Sequence, residues 1–549
     1  MKGSDLFVKC LENEGVSYIF GVPGEEILDI LDSLSRSKIK FIVTRHEHGA
    51  AFIADVYGRL SHRPGVCLST LGPGATNLIT GVADAYLDRV PLVAITGQAA
   101  LEKTHKEAHQ YIDIVGSFKY TTNWSTTIMR ADFIPEILKK AFDIAVDAPG
   151  AVHIELPEDV AEEETGKIPL ERKVNIHSSA PDHSELEKAK DLIKKASAPI
   201  ILAGNGVIRE EASFELKALV NKTGIPVATT FMGKGVIPAD SPLYLGSVGI
   251  QEKDYVMCGI DVADLVICIG FDHVEYSPRF WNPDASKRIV HIHSSHPEVD
   301  SSYLPELILI GSIKETLRQL ADLCDFTKQI SGYFSKLKTI IEAELESFKD
   351  DMAFPVKPQK ILYDIRKCLS REDILISDVG AHKLWIGRLF PAYEPNTVII
   401  SNGLASMGFG LPGAIAANIV LPDRKVVAVV GDGGFMMNLQ ELETAVRLGC
   451  SFVVVIFNDS SYGSIDWKAR IKFKKSFGVR FGNPDFVKLG ESFGAKGARV
   501  KRTDEFAPLL KKALDDGGVW IFDVRVDYSE NMKLTRKLSK DVCNSKEGS

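Results

Sequence analysis

The sequence predicts an α/β protein of three domains, each a mainly parallel sheet flanked by helices. Short β-branched runs alternate with amphipathic helical segments almost throughout the 549 residues, a pattern typical of parallel sheets. Two of the runs, residues 426–430 and 452–457, are apolar enough to be strands buried on both faces. Gly-rich turns follow several of the runs, as expected where an open α/β sheet binds a ligand.

The runs fall into three blocks, which we interpret as an N-terminal domain over residues 1–165, a central domain over 185–325 and a C-terminal domain over 355–530. The predicted strands are 16–20, 40–44, 66–69, 91–96, 151–156, 199–203, 227–230, 264–270, 288–293, 307–310, 374–377, 397–401, 426–430, 452–457 and 519–524. Residues 157–188 are rich in Glu, Ser and Pro and are predicted to be a linker, and a charged helix is expected at about 331–350. The first and third blocks are expected to share one architecture.

Composition excludes some classes of function. The formal charge of −8 is mild and spread along the chain, so it gives no support for a nucleic-acid partner. No run approaches the roughly 20 apolar residues that a membrane-spanning helix needs. The first residues lack the long apolar core of a secretory signal, and we therefore expect a cytoplasmic protein without a membrane partner.

Two acidic residues follow the two most apolar runs. Asp432 stands in the turn Gly431-Asp432-Gly433-Gly434, and Asp459 follows the next strand. Because the carboxyl ends of parallel strands meet at one edge, both carboxylates are expected to project into a ligand site there. Two carboxylates beside glycine N–H groups suit a hard cation that bridges to a phosphate. The pattern predicts a cofactor-anchoring site.

A second Gly-rich turn supports an alternative. Gly408, Gly410 and Gly413 have the G-x-G-x-x-G spacing, follow a predicted strand and open a helix, with Asp432 about twenty residues further on. This is close to the fingerprint of a nicotinamide-dinucleotide site. Pro412 inside the loop, and the glycines that surround Asp432, count against it.

Glu47 follows the predicted strand 40–44 and opens an Ala-rich helix. It is either an acid that stabilises the helix dipole or a carboxyl in a closed apolar site that exchanges a proton, and the residues alone leave both open. His109 and Gln110 lie in a polar loop that could reach a cavity. The basic run 468–475 is interpreted as a solvated helix face.

Taken together, these motifs resemble the thiamine-diphosphate-dependent acetolactate synthase family. The Gly431–Gly433 and Asn458-Asp459 spacing is the cofactor motif of that superfamily, and residues 45–47, 72–78 and 407–412 are similar in place and type. The likeness covers nearly the whole chain. Residues 269–276, 280–282, 441–448 and 491–497 look like the catabolic, FAD-independent type, and an Arg-bearing segment of the flavin-containing type is not evident near residue 271.

The resemblance implies two thiamine-diphosphate-binding domains with a Rossmann-like domain between them, and it implies thiamine diphosphate and Mg²⁺ as cofactors. The implied metal ligands are Asp432, Asp459 and the backbone carbonyl of Ser461. Glu47 and Gln110 are the implied catalytic residues, and Glu47 also contacts the aminopyrimidine ring of the cofactor. The other implied cofactor-binding residues are Gly380, Ala381, His382, Ala405, Met407, Gly433, Gly434, Tyr462 and Gly463.

The implied reaction decarboxylates pyruvate and joins the remaining two-carbon unit to a second pyruvate, giving 2-acetolactate and carbon dioxide. The resemblance also implies a homodimer or homotetramer whose active sites lie between the first domain of one subunit and the third domain of another. It leaves open a regulatory subunit, an FAD-containing relative, and another 2-oxo acid decarboxylase or carboligase with a different acceptor. Asn123, Gly413, Ser464 and Lys468 depart from the family pattern and leave the acceptor substrate undecided.

Overall fold

The structure is a computed structural model that describes residues 1–171, 179–249, 255–329 and 332–535. It contains three sheets of six parallel strands, each flanked by helices, which confirms the fold class. In the part of the chain that is described, no helix is both long and apolar enough to span a membrane. The domain boundaries at 165, 185, 325, 355 and 530 stay predictions.

The first sheet has the order β2-β1-β3-β4-β6-β5. Its strands are β1 (Tyr18–Gly21), β2 (Lys40–Val43), β3 (Gly65–Ser69), β4 (Leu92–Gln98), β5 (Trp124–Thr127) and β6 (Ala151–Pro157). Its helices are α1 (Gly3–Asn13), α2 (Leu28–Ser35), α3 (Glu47–Ser61), α4 (Pro73–Leu87), α5 (Ile114–Phe118), α6 (Ile134–Asp147) and α7 (Glu158–Glu162). Strands β3, β4 and β6 are fully buried, as their continuous apolar runs predict.

The central sheet has the order β12-β11-β10-β7-β8-β9, which is the order of dinucleotide-binding doubly wound sheets. Its strands are β7 (Pro199–Ala203), β8 (Val227–Thr229), β9 (Tyr244–Ser247), β10 (Leu265–Ile269), β11 (Arg288–His293) and β12 (Leu307–Ile310). The helices that accompany it are α8 (His183–Lys195), α9 (Gly206–Arg209), α10 (Ser213–Thr223), α11 (Tyr255–Val262), α12 (Ile313–Leu323) and α13 (Gly332–Glu346). The central domain is therefore Rossmann-like, as expected.

The third sheet has the order β14-β13-β15-β16-β18-β17, which repeats the strand order of the first sheet. Its strands are β13 (Ile374–Ser377), β14 (Val398–Ile400), β15 (Val426–Gly431), β16 (Phe452–Asn458), β17 (Lys496–Val500) and β18 (Val519–Arg525). Its helices are α14 (Pro358–Cys368), α15 (Ala381–Leu389), α16 (Gly410–Val420), α17 (Asp432–Asn438), α18 (Glu441–Arg447), α19 (Gly463–Phe473), α20 (Phe486–Ser492) and α21 (Thr503–Asp516).

The sequence analysis missed one strand in each sheet, namely β5, β9 and β17. All three are edge strands. An edge strand pairs on one side only and need not be apolar on both faces, so its short, mixed sequence does not stand out from a loop. The predicted linker at 157–188 is also partly wrong, because β6 runs to Pro157, α7 follows it directly and α8 begins at His183; residues 172–178 of this stretch lie outside the described residues.

The first and third domains pack on each other through α3 and α16. Both helices are rich in small residues, so their backbones approach closely, and the rings of Phe52 and Phe409 meet edge to face with centroids 5.5 Å apart. Beside them the buried Arg59 forms ion pairs with Asp55 and Asp88 and donates to the Ile400 carbonyl at 3.1 Å. This contact fixes where the third domain sits relative to Glu47.

Candidate active site

A cavity of about 770 Å³ lies where the carboxyl edge of the third sheet faces the central domain. The third domain contributes twelve of the predicted cofactor-binding residues to its lining: Gly380, Ala381, His382, Ala405, Met407, Asp432, Gly433, Gly434, Asp459, Ser461, Tyr462 and Gly463. The central domain contributes Phe231 and residues 274–277, among others. These positions span more than eighty residues of sequence, and the parallel sheet gathers them at one edge.

Three helices of the third domain begin at this cavity. The first residues of α15, α17 and α19 are Ala381, Asp432 and Gly463, and all three line it. The N-terminus of a helix presents unpaired backbone N–H groups and partial positive charge. Three such ends facing one cavity suit a ligand with several negative oxygens, such as a diphosphate.

Asp432 and Asp459 form an acidic pair at the same place. Asp432 is almost fully buried, and its Oδ2 accepts from the Ser460 N–H at 2.7 Å, while Asp459 Oδ2 accepts from the Ser461 hydroxyl at 2.7 Å. Burial and, to a smaller extent, the neighbouring charge of Asp432 together raise the pKa of Asp459 to about 6. A bound cation would remove this repulsion, so the pair fits Mg²⁺, which uses few carboxylates and completes its shell with phosphate and water.

The backbone around the pair leaves room for a ligand. A Cβ at position 463 would lie 2.6 Å from Asp459 Oδ2, so only glycine keeps that carboxylate in place. Ser460 has a φ of +54° and Ala405 a φ of +55°, and non-glycine residues in this region are strained and concentrate at functional sites. These features fit thiamine diphosphate with Mg²⁺ at this edge.

Asp378 was not predicted from the sequence, yet it organises the turn that carries Met407. Its buried carboxylate accepts from the N–H groups of Gly408 and Gly410 at 3.1 Å. Burial raises its pKa to about 6. The G-x-G loop therefore already holds a carboxylate where a dinucleotide would need a free phosphate cradle, which argues against the nicotinamide alternative. A lone Asp after a strand carries no motif, so sequence reasoning could not find it.

His382 lies beside Asp378 and is fully buried. Its Nε2–H donates to the backbone carbonyl of Asp378 at 3.0 Å, and burial lowers its pKa to about 4. His382 is therefore neutral, with Nδ1 left as an acceptor.

Asn483 is a second residue of the site that was not predicted from the sequence. Its Nδ2 donates to Asp432 Oδ2 at 2.8 Å and orients that carboxylate.

Glu47 and Gln110 both belong to the first domain, and neither lines this cavity. Glu47 is the first residue of α3, is 8% exposed, and its Oε2 accepts from Asn77 Nδ2 at 3.0 Å. Gln110, with a φ of +57°, packs on Gly72, whose Cβ would lie 2.6 Å from the Gln110 carbonyl oxygen. Among the described residues that line the cavity, none comes from the first domain.

The central domain provides evidence against the FAD-containing alternative. In a sheet of this order a dinucleotide binds at the carboxyl ends of the middle strands, here β7 and β10. Glu275 fills that position: its carboxylate accepts from the N–H groups of Asn205 at 3.0 Å and Asp272 at 3.2 Å. Burial raises the pKa of Glu275 to about 8. The donors that a flavin dinucleotide would need for its diphosphate are thus already used, and the residues present do not fit that group.

The four departures from the family pattern separate into two groups. Ser464 and Lys468 on α19 line the cavity. Asn123 instead donates to the Ala148 carbonyl in the first domain, and Gly413 is buried in α16, where a Cβ would already lie 3.0 Å from Ile376 Cγ2. The basic run around Lys468 is exposed, as predicted, although Lys468 also reaches the cavity.

Comparison with known proteins agrees with this geometry and defines the class. The chain matches the families described as "Thiamine pyrophosphate enzyme, N-terminal TPP binding domain" over residues 1–117, "central domain" over 186–320 and "C-terminal TPP binding domain" over 378–524. It is therefore a thiamine pyrophosphate enzyme with a cofactor-binding domain at each end.

The relatives narrow the class further. The chain is 36% identical to the acetolactate synthase of Bacillus subtilis (strain 168), with 98% of this chain and 96% of that protein aligned. It is 37% identical to a probable acetolactate synthase large subunit of Methanocaldococcus jannaschii (97% and 93%) and 33% identical to the catabolic acetolactate synthase of Raoultella terrigena (98% and 97%). The chain belongs to the acetolactate synthase family, as the sequence motifs predicted.

Proposed function

We propose that this protein decarboxylates pyruvate with thiamine diphosphate and Mg²⁺ and joins the two-carbon product to a second pyruvate, giving 2-acetolactate. The observation that carries the proposal is the cavity at the carboxyl edge of the third sheet, with its acidic pair and three helix N-termini. When bound, thiamine diphosphate supplies a positively charged ring that accepts the electrons released by decarboxylation.

In this proposal the third domain binds and orients the cofactor. Asp432, Asp459 and the carbonyl of Ser461 hold Mg²⁺, and the N–H groups at the starts of α15 and α17 bind the diphosphate. Met407 lines the cavity and supports the cofactor rings. The carboxylates gain most from this arrangement, because the cation compensates the cost of burying them.

Glu47 is proposed to hold a proton at its carboxyl and to exchange it with the aminopyrimidine ring of the cofactor. Since no described first-domain residue lines the cavity of its own chain, Glu47 and Gln110 are proposed to complete the cavity of a second copy. Large apolar side chains on α17, on α19 and directly before α19 support such an interface, because a lone subunit leaves them exposed: Met436, Met437, Ile465 and Tyr462.

The acceptor site is proposed to include Lys468. Its side chain lines the cavity, and an ammonium group there would attract the carboxylate of a 2-oxo acid. Pyruvate and other 2-oxo acids share this carboxylate, so Lys468 would favour 2-oxo acids as a class of acceptor.

Product identification tests the proposal. Purified protein is incubated with pyruvate, with and without thiamine diphosphate and Mg²⁺, and acetolactate, acetaldehyde and carbon dioxide are measured. Acetolactate that requires both cofactors supports the proposal, whereas acetaldehyde without acetolactate favours a simple decarboxylase. The absorption spectrum of the same preparation checks the FAD alternative, and cell fractionation checks the predicted cytoplasmic location.

Mixed oligomers test the shared site. A Glu47→Gln chain retains its own cavity, and an Asp432→Asn chain retains its own Glu47, so a mixed dimer would contain one intact site. Activity that returns when the two inactive chains are combined supports a site built from two subunits. Sedimentation velocity of the cofactor-bound protein gives the oligomeric state.

A further inference from the structure

A buried carboxylate of the third domain contacts the backbone directly before Glu47. Glu441, the first residue of α18, is fully buried. Its Oε1 accepts from the His46 N–H at 3.0 Å and from the Arg45 N–H at 3.1 Å, and its Oε2 accepts from the Thr444 hydroxyl at 2.7 Å. These bonds satisfy N–H groups at the start of α3 that the helix itself leaves unpaired.

The first turn of α3 is shaped to admit this carboxylate. A Cβ at position 49 would lie 2.6 Å from Glu441 Oε1, so glycine at this position opens the space that Glu441 occupies. The other end of α18 contacts the same region, because Arg447 donates to the Val43 carbonyl at the end of β2. Helix α18 therefore spans from the end of β2 to the start of α3.

Burying the Glu441 carboxylate costs free energy unless hydrogen bonds replace the water that it loses. Burial raises the pKa of Glu441, and a buried carboxylate is retained only where hydrogen bonds compensate for lost water. Three donors and the positive end of α3 supply that compensation. Of the groups facing it, Arg45, His46 and Thr444 donate, and Glu443 on its own helix adds a repulsive charge.

We propose that Glu441 is a positioning residue for Glu47: by binding the two N–H groups that precede it, Glu441 sets where the Glu47 carboxyl points. This rests on the proposed role of Glu47. Because Glu47 is proposed to complete the cavity of a second copy, Glu441 acts on that neighbouring site and not on the cavity of its own domain, although its helix follows the helix that carries Asp432.

Three variants test this proposal. Glu441→Ala removes the acceptor, Glu441→Gln keeps one amide oxygen in its place, and Glu491→Gln on α20 is the control, since Glu491 is exposed and makes none of these contacts. In the cofactor-free protein, amide hydrogen exchange of residues 45–52 should accelerate at least tenfold in Glu441→Ala and stay at the wild-type rate in the control.

In the holoenzyme, NMR follows exchange of the acidic thiazolium proton of bound thiamine diphosphate with D₂O. Glu441→Ala should slow this exchange at least tenfold, Glu441→Gln less, while the Kd for thiamine diphosphate with Mg²⁺ stays within about threefold. If Glu441→Ala does not fold, Glu441→Gln carries the test. The proposal would be overturned if the folded variants exchanged the thiazolium proton at the wild-type rate. It would also be overturned if the variants lost cofactor affinity without a change in that exchange rate.

Complementation shows which cavity Glu441 serves. A Glu441→Ala chain mixed with an Asp432→Asn chain should recover the same activity as Glu47→Gln mixed with Asp432→Asn, because the intact cavity then receives a correctly held Glu47. Failure of the Glu441→Ala pair, while the Glu47→Gln pair recovers, would overturn the proposal. Failure of the Glu47→Gln pair would instead refute the shared site of the proposed function, and the exchange data on Glu441 would still stand by themselves.

Discussion

The first and third domains have the same strand order but carry different side chains at equivalent strand ends. After its third strand along the chain, the first domain has the turn Gly72-Pro73-Gly74, whereas the third has Asp432-Gly433-Gly434. After the fourth strand, the first domain continues as a long loop, whereas the third presents Asp459. The shared topology supplies an edge where ligands can bind, and the side chains placed on it decide which chemistry follows.

The helices that follow the second strand of the first and third domains differ in which domain supplies the carboxylate at their start. Both α3 and α16 begin over a buried carboxylate, next to Glu47 and Met407 respectively. Asp378 under α16 belongs to the same domain, whereas Glu441 under α3 comes from the other domain. Met407 is thus held within one domain, and the position of Glu47 depends on how two domains pack.

The largest effect is expected from Asp432→Ala, which removes the feature that distinguishes the third domain. Loss of a metal ligand should lower the affinity for thiamine diphosphate with Mg²⁺ by more than about 100-fold. Isothermal titration calorimetry measures it, with the exposed Asp515→Asn as control. Unchanged affinity would move the cation site elsewhere.

Glu47→Gln should leave cofactor affinity intact and lower turnover about 10²- to 10⁴-fold, because only the proton of the carboxyl is lost. Steady-state kinetics with pyruvate check this, beside the exposed Glu136→Gln of the same domain. Undiminished turnover would remove Glu47 from the mechanism and leave it a helix-start acid.

Asp378→Asn should weaken the turn that carries Met407. An amide oxygen replaces only part of a carboxylate that accepts several N–H bonds, which costs about 1–3 kcal/mol. Because the substitution also removes a buried charge at pH 7, the free energy of unfolding should fall by no more than about 1–2 kcal/mol. Urea denaturation of the cofactor-free protein measures the change. A variant as stable as the wild type would show that these bonds contribute nothing net.

The Asp378 carboxyl also predicts how the free energy of unfolding depends on pH. Its pKa is raised to about 6 in the folded state, so the folded protein binds more protons than the unfolded chain between pH 4 and 6. Its contribution to the free energy of unfolding therefore decreases as pH rises through this window, by up to roughly 3 kcal/mol. Urea denaturation at pH 4.5 and 6.5 measures the free energy of unfolding at each pH. The difference between the two values should be smaller in Asp378→Asn than in the wild type, and an equal difference would contradict a raised pKa for Asp378.

Lys468→Gln should have the smallest effect, since Lys468 lies at the cavity but outside the proposed cofactor contacts. We expect kcat/KM for pyruvate to fall less than about tenfold, as for one exposed charge, with cofactor affinity unchanged. Competition between pyruvate and 2-oxobutyrate as acceptors measures the preference. A large loss of cofactor affinity would instead place Lys468 among the cofactor-binding residues.

The sequence alone determined the class of fold and most of the candidate cofactor-binding residues. Fifteen apolar runs predicted the buried strands, and the turns after β15 and β16 predicted Asp432 and Asp459, because both signals are local and periodic. The missed edge strands β5, β9 and β17 have short sequences of mixed polarity, whereas the edge strands β2, β12 and β14 are more apolar and were predicted. Lone polar residues such as Asp378 and Asn483 were missed because no local pattern marks them.

Only the tertiary structure decided how these residues meet. It showed that Glu275 occupies the dinucleotide crevice of the central sheet and that Glu441 supports α3 from another domain. It also showed that Glu47 does not line the cavity of its own chain, which agrees with the shared site that the family resemblance implied. The contacts of Glu275 and Glu441 join residues from different elements. Glu441 and His46, for example, are 395 positions apart in the sequence. Periodicity reports which face of an element is buried, whereas a hydrogen bond over such a separation arises only when whole sheets pack.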